Sequence, residues 1–456
     1  MLFDTHCHLY MDPVREGLEG VLERAVSAGV RLMLVPGIDR ETSLDALSLA
    51  HTHSSIVAAV GNHPCYLPPH GESAVGDLAD LALDPRAVAL GETGLDLHHS
   101  GRESLDAQRE WLASHCRVSS ALGKTLIAHS RDAEEEVCGE IVSLDAPVVL
   151  HCYTGDYGTV RRTLEQQTQE RPRFAGFTGC LTYPSREGLR EMVRTMPADS
   201  LLIETDTPFM APRGHRGKPS EPSHLPLVLE EVARCWGCDI EAAASRVLDN
   251  SQRAFQLGPY RRTDLVYRLG NAVYVNVTGR CNNDCLFCVR KLQDGIGGYL
   301  LAHRGGDPGP ERLAAAMSCL SADRYDELVF CGYGEPTLRH EAVTELASGA
   351  RSAGWKTRLN TNGLMLSFCE ESGAVRMLKE LDCVSISLNA HDAASYESVC
   401  RPGVPDAWDR LLAFVSLARR VPSCSVRATA VRWPGLDADA VAATAERLGL
   451  PLRIRG

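Results

Sequence analysis

The sequence has no apolar run that approaches the roughly 20 residues a helix needs to cross a bilayer. Its first ten residues, MLFDTHCHLY, lack the basic segment and apolar core that mark a secretory signal peptide. Low-complexity stretches and short internal repeats are also missing. We therefore expect a cytoplasmic protein without membrane association, and the sequence leaves its oligomeric state open.

A strong basic excess is missing as well. Residues 1–263 contain 25 Lys and Arg against 37 Asp and Glu, and residues 264–456 contain 22 of each. Neither part therefore resembles a protein that clamps long stretches of nucleic acid, although local arginines can still bind a few phosphates. The length of 456 residues, with 44% hydrophobic residues, predicts two or three globular domains.

The seventeen cysteines do not form the compact framework of a small secreted protein. They are scattered through a long chain that lacks an export signal, which favours reduced thiols and metal ligands over disulfides.

Eight short apolar runs recur through residues 1–206, separated by amphipathic segments long enough for crossover helices. In order they are LFDTHCH, VRLMLVPG, IVAAVGNHP, AVALGETG, KTLIAHS, PVVLHCY, RFAGFTG and SLLIETD. Alternating strands and helices imply parallel pairing, and eight such units predict an α/β fold, a closed (β/α)8 TIM barrel. In that fold the functional residues lie at the C-terminal ends of the strands.

Residues with metal-ligating side chains stand at the ends of five of these runs: His6, His8, Glu92, His129, His151 and Asp206. His6 and His8 are two positions apart on the first predicted strand, so their side chains leave on one face. Histidine nitrogens mixed with carboxylates suit divalent cations, and the set is large enough for two ions bridged by Glu92. Such a pair favours hydrolysis of a phosphoester or a similar bond.

The other histidines of this region carry weaker signals. His63 follows the third run and lies on the same rim, where it either contacts substrate or has a structural role. We interpret those on predicted helices and loops as surface residues: His51, His53, His98, His99 and His115.

The motifs DTHCH, GNHP, GETGLD, AHSRDA, LHCYTG and ETDTPFMAP with RGKPSEP resemble, in the same order, those of TatD-family metal-dependent deoxyribonucleases. The resemblance covers about residues 1–258. It implies an amidohydrolase-like barrel with two Mg²⁺, Mn²⁺ or Zn²⁺ ions and 3′–5′ exonuclease or phosphodiesterase activity, acting on DNA or a nucleotide-containing small molecule.

The same resemblance implies roles for individual residues. The six ligands carry over as given above, and Glu92, Asp206 and Glu204 become the catalytic acids. Substrate contacts are implied for His63, Arg131 and Arg216, the arginines being suited to phosphates through their bidentate fork. Cys65 stands where the family often has a second histidine, and KPSEP replaces the commoner KRNEP; both departures concern substrate contacts rather than metal ligands.

A domain boundary is predicted where Gly258-Pro259 ends the helix-like segment LDNSQRAFQL. We assign residues 1–258 to the first domain, 259–268 to a linker and 269–456 to the second domain. Six strand candidates follow the linker: AVYVNVT, ELVFCGYG, KTRLNTNG, CVSISLNA, SVRATAV and PLRIRG. Separated by helical stretches, they predict a partial (β/α)6 barrel.

The loop CNNDCLFC follows the first of these strands and contains three cysteines, Cys281, Cys285 and Cys288. Three thiolates can bind three irons of a [4Fe–4S] cluster and leave the fourth iron open to a cofactor or substrate. The alternative is a zinc site, which needs a fourth ligand such as Cys331 or His303.

C-x3-C-x2-C after an initial strand resembles the signature of radical SAM enzymes, and the resemblance covers about residues 270–456. It implies a [4Fe–4S] cluster, reductive cleavage of S-adenosylmethionine (SAM), and an electron donor such as flavodoxin or ferredoxin. CGYGEP resembles the motif whose backbone and acid hold the SAM amino group. The implied SAM contacts are Gly332, Gly334, Glu335, Asn360, Asn362, Ser387 and Asn389.

The combination resembles TatD-associated radical SAM proteins fused to a TatD domain, and three functions stay open. The first is a bifunctional phosphodiesterase and radical SAM enzyme. The second is a hydrolase of a non-nucleic ester or amide, including an aminoacyl ester, coupled to radical modification. The third is a radical activase of a partner protein, because SLNAHDAASYESVCRP is similar to glycyl-radical-enzyme activases.

Overall fold

The computed structural model describes residues 1–455. Its internal contacts divide the chain into two compact units, Met1–Arg261 and a second that begins at Arg262. Among the described residues, no helix combines the length and the apolar character required to span a bilayer.

The first unit is an eight-stranded parallel sheet in which each strand pairs with the next along the chain. Its strands are β1 (Leu2–Asp4), β2 (Val30–Pro36), β3 (Ile56–Val60), β4 (Ala87–Asp96), β5 (Thr125–Arg131), β6 (Val148–Leu150), β7 (Arg173–Phe177) and β8 (Leu201–Ile203). All eight predicted runs form strands, which confirms the TIM barrel. Inward-facing side chains such as Leu34, Ile127, Phe174 and Leu202 are buried in one cluster.

Nine helices surround this sheet. They are α1 (Leu18–Ser27), α2 (Arg40–Thr52), α3 (Glu72–Ala82), α4 (Leu105–Leu122), α5 (Glu134–Ile141), α6 (Tyr157–Glu165), α7 (Glu187–Thr195), α8 (Leu225–Trp236) and α9 (Ile240–Ala254). Aspartates start several of them: the side chains of Asp39, Asp156 and Asp239 accept hydrogen bonds from backbone N–H groups in the first turn.

The barrel closes through the segments that follow β1 and β8. The N–H of Asp206 donates to the carbonyl of His6 at 2.9 Å, and the N–H of His8 donates to the carbonyl of Thr207 at 2.7 Å. The first strand itself ends at Asp4, so the prediction that His6 and His8 lie within it was wrong. The side chains of His6 and His8 still leave on one face, because the chain stays extended beyond the strand and Cys7 pairs with Thr207 as an isolated parallel bridge.

The second unit has a seven-stranded sheet in the order β17-β16-β15-β14-β13-β10-β9, and a two-stranded hairpin, β11-β12. The strands are β9 (Val266–Leu269), β10 (Ala272–Asn276), β11 (Gly295–Ile296), β12 (Tyr299–Leu300), β13 (Glu327–Cys331), β14 (Thr357–Thr361), β15 (Cys383–Ser387), β16 (Ser425–Val431) and β17 (Leu452–Arg455). Its helices are α10 (Pro310–Ser318), α11 (His340–Ser352), α12 (Glu371–Lys379), α13 (Ala393–Cys400), α14 (Ala407–Arg419) and α15 (Ala438–Arg447).

The six predicted strands are β10 and β13 to β17, all parallel to one another, and they form the curled half-barrel that the sequence predicted. β9 was not predicted. It begins inside the stretch assigned to the linker and pairs antiparallel with β10 across a two-residue turn, Gly270-Asn271. Gly270 has φ of 62°, the left-handed conformation that such a turn requires.

Candidate functional site

The predicted metal ligands of the first unit converge on the carboxylate of Glu92. Its Oε2 lies 3.3 Å from His6 Nε2 and 3.6 Å from His8 Nε2. Its Oε1 lies 2.8 Å from His129 Nδ1 and 3.3 Å from His151 Nε2. The two oxygens of one carboxylate therefore face two separate pairs of histidines, which suits a carboxylate that bridges two cations.

Asp206 completes the first of these groups. Its Oδ1 lies 3.6 Å from His8 Nε2 and 4.0 Å from His6 Nε2. All three residues are buried, and the two Nε2 atoms are only 3.3 Å apart. Two imidazole nitrogens and two carboxylates that converge in this way fit a divalent cation.

The histidines also set the charge of the bridging acid. Burial alone would raise the pKa of Glu92, but the surrounding His151, His63 and His6 hold this pKa well below its usual range. The carboxylate is therefore ionised and available to cations.

Outer partners fix the orientation of two ligands. Tyr10 Oη donates to the carbonyl of Pro36 at 2.9 Å and lies 3.0 Å from His8 Nδ1, so it accepts the proton of that nitrogen. The Nε2 lone pair of His8 is then directed toward Glu92. Asp96 Oδ2 lies 3.2 Å from His129 Nε2 and leaves Nδ1 of that ring for the centre. Sequence reasoning missed the roles of Tyr10 and Asp96, although Tyr10 follows the motif DTHCH closely and Asp96 is the last residue of GETGLD.

Glu204 lies behind His151. Its Oε1 is 3.2 Å from His151 Nδ1 and accepts the N–H of Cys152 at 2.5 Å, while its Oε2 accepts the hydroxyl of Thr5 at 3.2 Å. The side chain is fully buried. This placement orients the ring of His151, and the catalytic role that the sequence indicates for Glu204 stays a prediction.

His63 faces the same carboxylate, with its Nε2 3.6 Å from Glu92 Oε1. The N–H of Cys65 donates to His63 Nδ1 at 3.1 Å, so Nδ1 is an acceptor and Nε2 carries the proton of the neutral ring. Burial lowers the pKa of His63 to about 4, which keeps the ring neutral. His63 is therefore placed as a hydrogen-bond donor to a group bound in the centre.

His115 was predicted to lie at the surface, and this prediction was wrong. The side chain is fully buried on α4, where its Nδ1 donates to the carbonyl of Trp111 at 2.8 Å. Its Nε2 accepts the N–H of Asn62 at 3.2 Å and so anchors the segment that carries His63. The helical spacing of the apolar Trp111, Leu112 and Val118 would have placed it on the buried face.

The two arginines assigned to substrate lie on the rim. Arg131 is the last residue of β5, two positions after His129, and is half-buried. Arg216 is exposed, and its guanidinium lies 5.5 Å from the centre of the Tyr183 ring. Neither arginine forms an ion pair with the residues that the structure describes.

The cysteine loop of the second unit follows β10, and its three thiols are reduced and half-buried. Arg290 lies among them: its Nε is 3.4 Å from Cys288 Sγ, and its Nη1 donates to the carbonyl of Gly279 at 3.0 Å. A guanidinium at this position offsets the negative charge that three thiolate ligands bring to a cluster.

The arrangement does not favour the zinc alternative. The sulfurs of a tetrahedral zinc site lie about 3.8 Å apart, as bonds of about 2.3 Å require. The three loop sulfurs are not among the groups of described residues whose ligand atoms all lie within 4.8 Å of one another. Of the suggested fourth ligands, His303 Nε2 is 3.1 Å from Asn276 Oδ1, and Cys331 Sγ accepts from Asn360 Nδ2 at 3.9 Å.

A fourth cysteine near the loop was not predicted. The N–H of Asp284 donates to the carbonyl of Arg401 at 3.1 Å, and the N–H of Leu286 donates to that of Val399 at 3.0 Å. This antiparallel register places Cys285 directly opposite Cys400, the buried last residue of α13. The two thiols interact, which lowers the pKa of Cys285 and raises that of Cys400. The spacing of the cysteines in the sequence does not predict this pair.

Two predicted glycines bring the loop after β13 against the segment before Cys281. The N–H of Gly334 donates to the carbonyl of Thr278 at 2.8 Å. A Cβ on Gly334 would lie 1.9 Å from Arg280 O, and one on Gly332 would lie 2.6 Å from Thr278 O. Only glycine permits this approach, which fixes the backbone just before the first cysteine.

Glu335 connects this loop to the one after β14. Its Oε1 accepts from the hydroxyls of Thr337 and Thr361 at 2.6 and 2.7 Å, and its Oε2 accepts the N–H of Asn362 at 2.7 Å. The amide of Asn362 in turn donates to Asn282 Oδ1 at 2.6 Å. The carboxylate therefore positions two loops, and its contact with SAM stays a prediction.

The remaining predicted SAM contacts differ in their surroundings. Asn360 Oδ1 accepts from Arg358 and Arg455, and Asn389 Oδ1 accepts the N–H of Val431 at 2.9 Å. Both amide oxygens are thus engaged within the protein. Ser387 is half-buried at the end of β15, and its hydroxyl makes no hydrogen bond with a described residue.

Several buried polar atoms around the loop lack partners, which is the sign of a polar ligand. They are Asn282 Nδ2, Asn283 Oδ1 and Trp433 Nε1. The Trp433 ring lies 6.1 Å from that of Phe287, which stands between the second and third cysteines. Because buried polar groups are normally hydrogen-bonded, these atoms fit a cofactor with polar and aromatic parts, such as SAM.

The folds and sites together define a metal-dependent hydrolase barrel joined to a radical enzyme. The family model described as TatD related DNase matches residues 3–256, and that of the Radical SAM superfamily matches residues 275–448. The chain belongs to the TatD-related DNase family and carries a radical SAM domain after its TatD domain. Both domains are those of enzymes, which confirms the resemblances drawn from the motifs.

Similar proteins match the first unit over nearly their whole length. The uncharacterized metal-dependent hydrolase YabD of Bacillus subtilis is 33% identical over 260 residues, which are 56% of this chain and 100% of that protein. The 3′-5′ ssDNA/RNA exonuclease TatD of Shigella flexneri is 32% identical over 267 residues, 56% of this chain and 98% of that protein. The crystal structure of the TatD homologue YjjV from Escherichia coli superposes with a TM-score of 0.52 at 27% identity, covering 56% and 98%.

Proposed function

We propose that the chain is a bifunctional enzyme. Its first unit removes nucleotides from the 3′ end of single-stranded nucleic acid, or cleaves a nucleotide-containing small molecule, with two divalent cations. Its second unit cleaves SAM reductively at a [4Fe–4S] cluster. The observation that carries the hydrolytic half is that the two oxygens of Glu92 face separate groups of histidines.

The residues divide between two cation positions. The ligands of the first would be His6, His8, Asp206 and Glu92 Oε2, and those of the second His129, His151 and Glu92 Oε1. Bound there, two divalent ions supply charge stabilisation to the phosphoryl oxygens and an activated water.

Protein groups around the centre complete the binding of substrate. His63 Nε2–H is placed to donate to a phosphoryl oxygen, and Arg131 and Arg216 offer guanidinium forks to neighbouring phosphates. The Shigella relative is named for exonuclease action on single strands. Residues 1–263 contain more acidic than basic residues, which agrees with a domain that contacts only a few phosphates of its substrate at a time.

The hydrolytic proposal is tested by parallel assays on a single-stranded oligonucleotide, a simple ester and an aminoacyl ester, each with Mg²⁺, Mn²⁺ or Zn²⁺. We expect the oligonucleotide to shorten from its 3′ end. Asp206→Asn should reduce kcat/KM by more than the 10- to 100-fold that losing an outer partner of a metal ligand typically costs. Hydrolysis of an ester with no action on the oligonucleotide would instead establish the second function considered above.

The radical half rests on the three-cysteine loop, the neighbouring Arg290 and the unpartnered atoms around them. When bound, the cluster supplies the electron that cleaves SAM, and the protein positions and encloses the reactants. A low-potential donor such as flavodoxin or ferredoxin would reduce it. Anaerobically reconstituted protein should show a cluster by electron paramagnetic resonance and release 5′-deoxyadenosine from SAM. Cys285→Ala should abolish both signals while leaving oligonucleotide hydrolysis in place.

The same reconstituted protein can be used to identify the reaction that consumes the radical. Incubation with SAM and a cell extract, followed by mass spectrometry, distinguishes a modified small molecule from a modified protein. A stable radical on a co-purifying protein would identify an activase, the third function considered above.

A further inference from the structure

A second group of metal-ligating side chains lies beside the centre built on Glu92. Its members are Cys65 after β3, Asp96 at the end of β4, and His99 three residues later. One ligand atom from each, a sulfur, an oxygen and a nitrogen, all lie within 4.8 Å of one another. None of the three belongs to the ligand set described above.

Asp96 is the fixed member of this group. Its side chain is 1% exposed, and its Oδ1 accepts the N–H of His99 at 2.7 Å. Its Oδ2 lies 2.9 Å from His99 Nδ1 and 3.2 Å from His129 Nε2. One buried carboxylate thus holds the backbone and ring of one histidine and the ring of a predicted metal ligand.

Cys65 brings the sulfur to this carboxylate. The side chain is half-buried, and the hydroxyl of Ser100 donates to its Sγ at 3.3 Å. The loop after β4 therefore contacts Asp96 through His99 and Cys65 through the next residue, Ser100. The three side chains are therefore held together by contacts that do not depend on an ion.

The chemistry of the group selects the cation. A thiolate, an imidazole and a carboxylate suit zinc, whereas Mg²⁺ and Ca²⁺ prefer oxygen ligands throughout. Three protein ligands with one open position are the usual composition of a non-structural zinc site. We propose that Cys65, Asp96 and His99 form a third cation site that binds Zn²⁺, one side chain away from the centre on Glu92.

This site goes beyond the proposed hydrolase because it does not depend on which bond the centre cleaves. It connects to that centre through Asp96 and His129, and through the N–H of Cys65, which donates to His63. A zinc ion there replaces the proton shared by Asp96 and His99, and it holds the carboxylate that orients His129.

The test is metal analysis of full-length protein whose cysteine loop already holds its cluster, so that no zinc enters the loop. After equilibration with Zn²⁺ and removal of excess ion, we expect three zinc ions per chain. X-ray absorption should show a sulfur scatterer at about 2.3 Å. Cys65→Ser and His99→Ala should each contain two zinc ions, and Cys65→Ser should lose the sulfur signal. Cys65→His, which exchanges one zinc ligand for another, should retain three.

Cobalt gives a second, spectroscopic measurement that reports the sulfur ligand directly. Loading with Co²⁺ should produce a thiolate-to-cobalt charge-transfer band in wild-type protein and in the control Cys116→Ser, which alters a half-buried cysteine of α4 outside the group. The band should be missing from Cys65→Ser. Two zinc ions without a sulfur scatterer in wild type, or a cobalt band that persists in Cys65→Ser, would overturn the third site.

Discussion

Single residues decide which nitrogen of each histidine faces the metal centre. Tyr10 accepts the Nδ1 proton of His8, Asp96 accepts the Nε2 proton of His129, and Glu204 accepts the Nδ1 proton of His151. Each acceptor leaves the other nitrogen of its ring directed at Glu92. The ligands are thus oriented by residues that need not touch a cation themselves.

Tyr10→Phe tests this orientation. The change removes only the hydroxyl, so His8 loses the acceptor that selects its tautomer. We expect the affinity of the first unit for Mn²⁺ to fall about 10- to 100-fold, measured by titration of metal-stripped protein. Tyr260→Phe, which alters an exposed tyrosine bonded to Asp249, is the control and should bind normally. Equal affinities in both variants would show that the hydroxyl has no such role.

His115 makes stability depend on pH. Burial lowers its pKa from 6.5 to about 4, so between these values the unfolded chain binds a proton that the folded chain refuses. The contribution of the neutral His115 ring to the free energy of unfolding is therefore fully present above pH 6.5. This contribution, on the order of 3 kcal/mol, is lost as the pH falls toward 4.

Thermal melting at pH 7 and pH 5 measures this effect. His115→Gln lacks the titrating group, so its melting temperature should fall less on acidification than that of wild type. His51→Gln, which alters an exposed histidine, should behave as wild type does. The expectation fails if His115→Gln and His51→Gln respond alike to pH.

The residues that carry chemistry were predictable from the sequence where they follow apolar runs, as Glu92, His129 and His151 do. Those that act through long-range contacts were not. Cys400 meets Cys285 across 115 positions, and Asn62 brings its backbone to His115 across 53. Such pairs follow from how strands and helices pack, and no local spacing records them.

At the scale of elements, the loop after β13 depends on the absence of a side chain. Gly334→Ala would place a methyl group 1.9 Å from the carbonyl oxygen of Arg280, a backbone atom that can move only with the whole cysteine loop. We expect a cost of about 1–3 kcal/mol in the stability of the second unit and a marked loss of SAM cleavage. Gly349→Ala in α11, where nothing lies within 4 Å, should preserve both. Normal SAM cleavage by Gly334→Ala would contradict this role.

The pairing of the cysteine loop with the end of α13 has a consequence for protein that lacks its cluster. Cys285 and Cys400 lie opposite each other in antiparallel register. Diamide should oxidise them to a disulfide, taking up the two protons and two electrons that the thiols release. Peptide mapping should find the 285–400 crosslink in cluster-free protein and not in cluster-loaded protein. A crosslink at Cys281 or Cys288 instead would show that this register does not control oxidation.

The strands that could be predicted from the sequence were those with long apolar runs bounded by polar or turn-forming residues. All eight strands of the first sheet and six of the second met this condition. β11 and β12 have two residues each and lie outside the sheet, so no periodicity marks them. β9 alternates over only four residues, and the Gly270-Asn271 turn was its one usable signal.

At the scale of the whole molecule, the two units carry separate sites. The ligands on Glu92 come entirely from the unit that ends at Arg261, and the cysteine loop with its supporting glycines comes entirely from the other. Relatives of about 260 residues match the first unit over their full length. We therefore expect the fragment 1–261 to fold and to retain metal-dependent hydrolysis within about threefold of the full chain.

This expectation is checked by comparing kcat/KM and metal content of the fragment with those of the full chain. A chelator should abolish hydrolysis in both, while SAM cleavage by the full chain should outlast brief treatment, because thiolates would hold the iron of the proposed cluster. A fragment that binds metal but hydrolyses nothing would show that the second unit contributes to the first site.

The closure of the barrel through residues 5–8 and 203–207 also bears on biosynthesis. His6 and His8 leave the ribosome early, but the first cation position lacks a ligand until Asp206 has emerged. At about 5–20 residues per second, that interval lasts about 10–40 s. During this interval the nascent chain contains His6 and His8 but not Asp206, the carboxylate that completes the first cation position. We therefore expect the first cation position to bind its ion only after Asp206 has been synthesised.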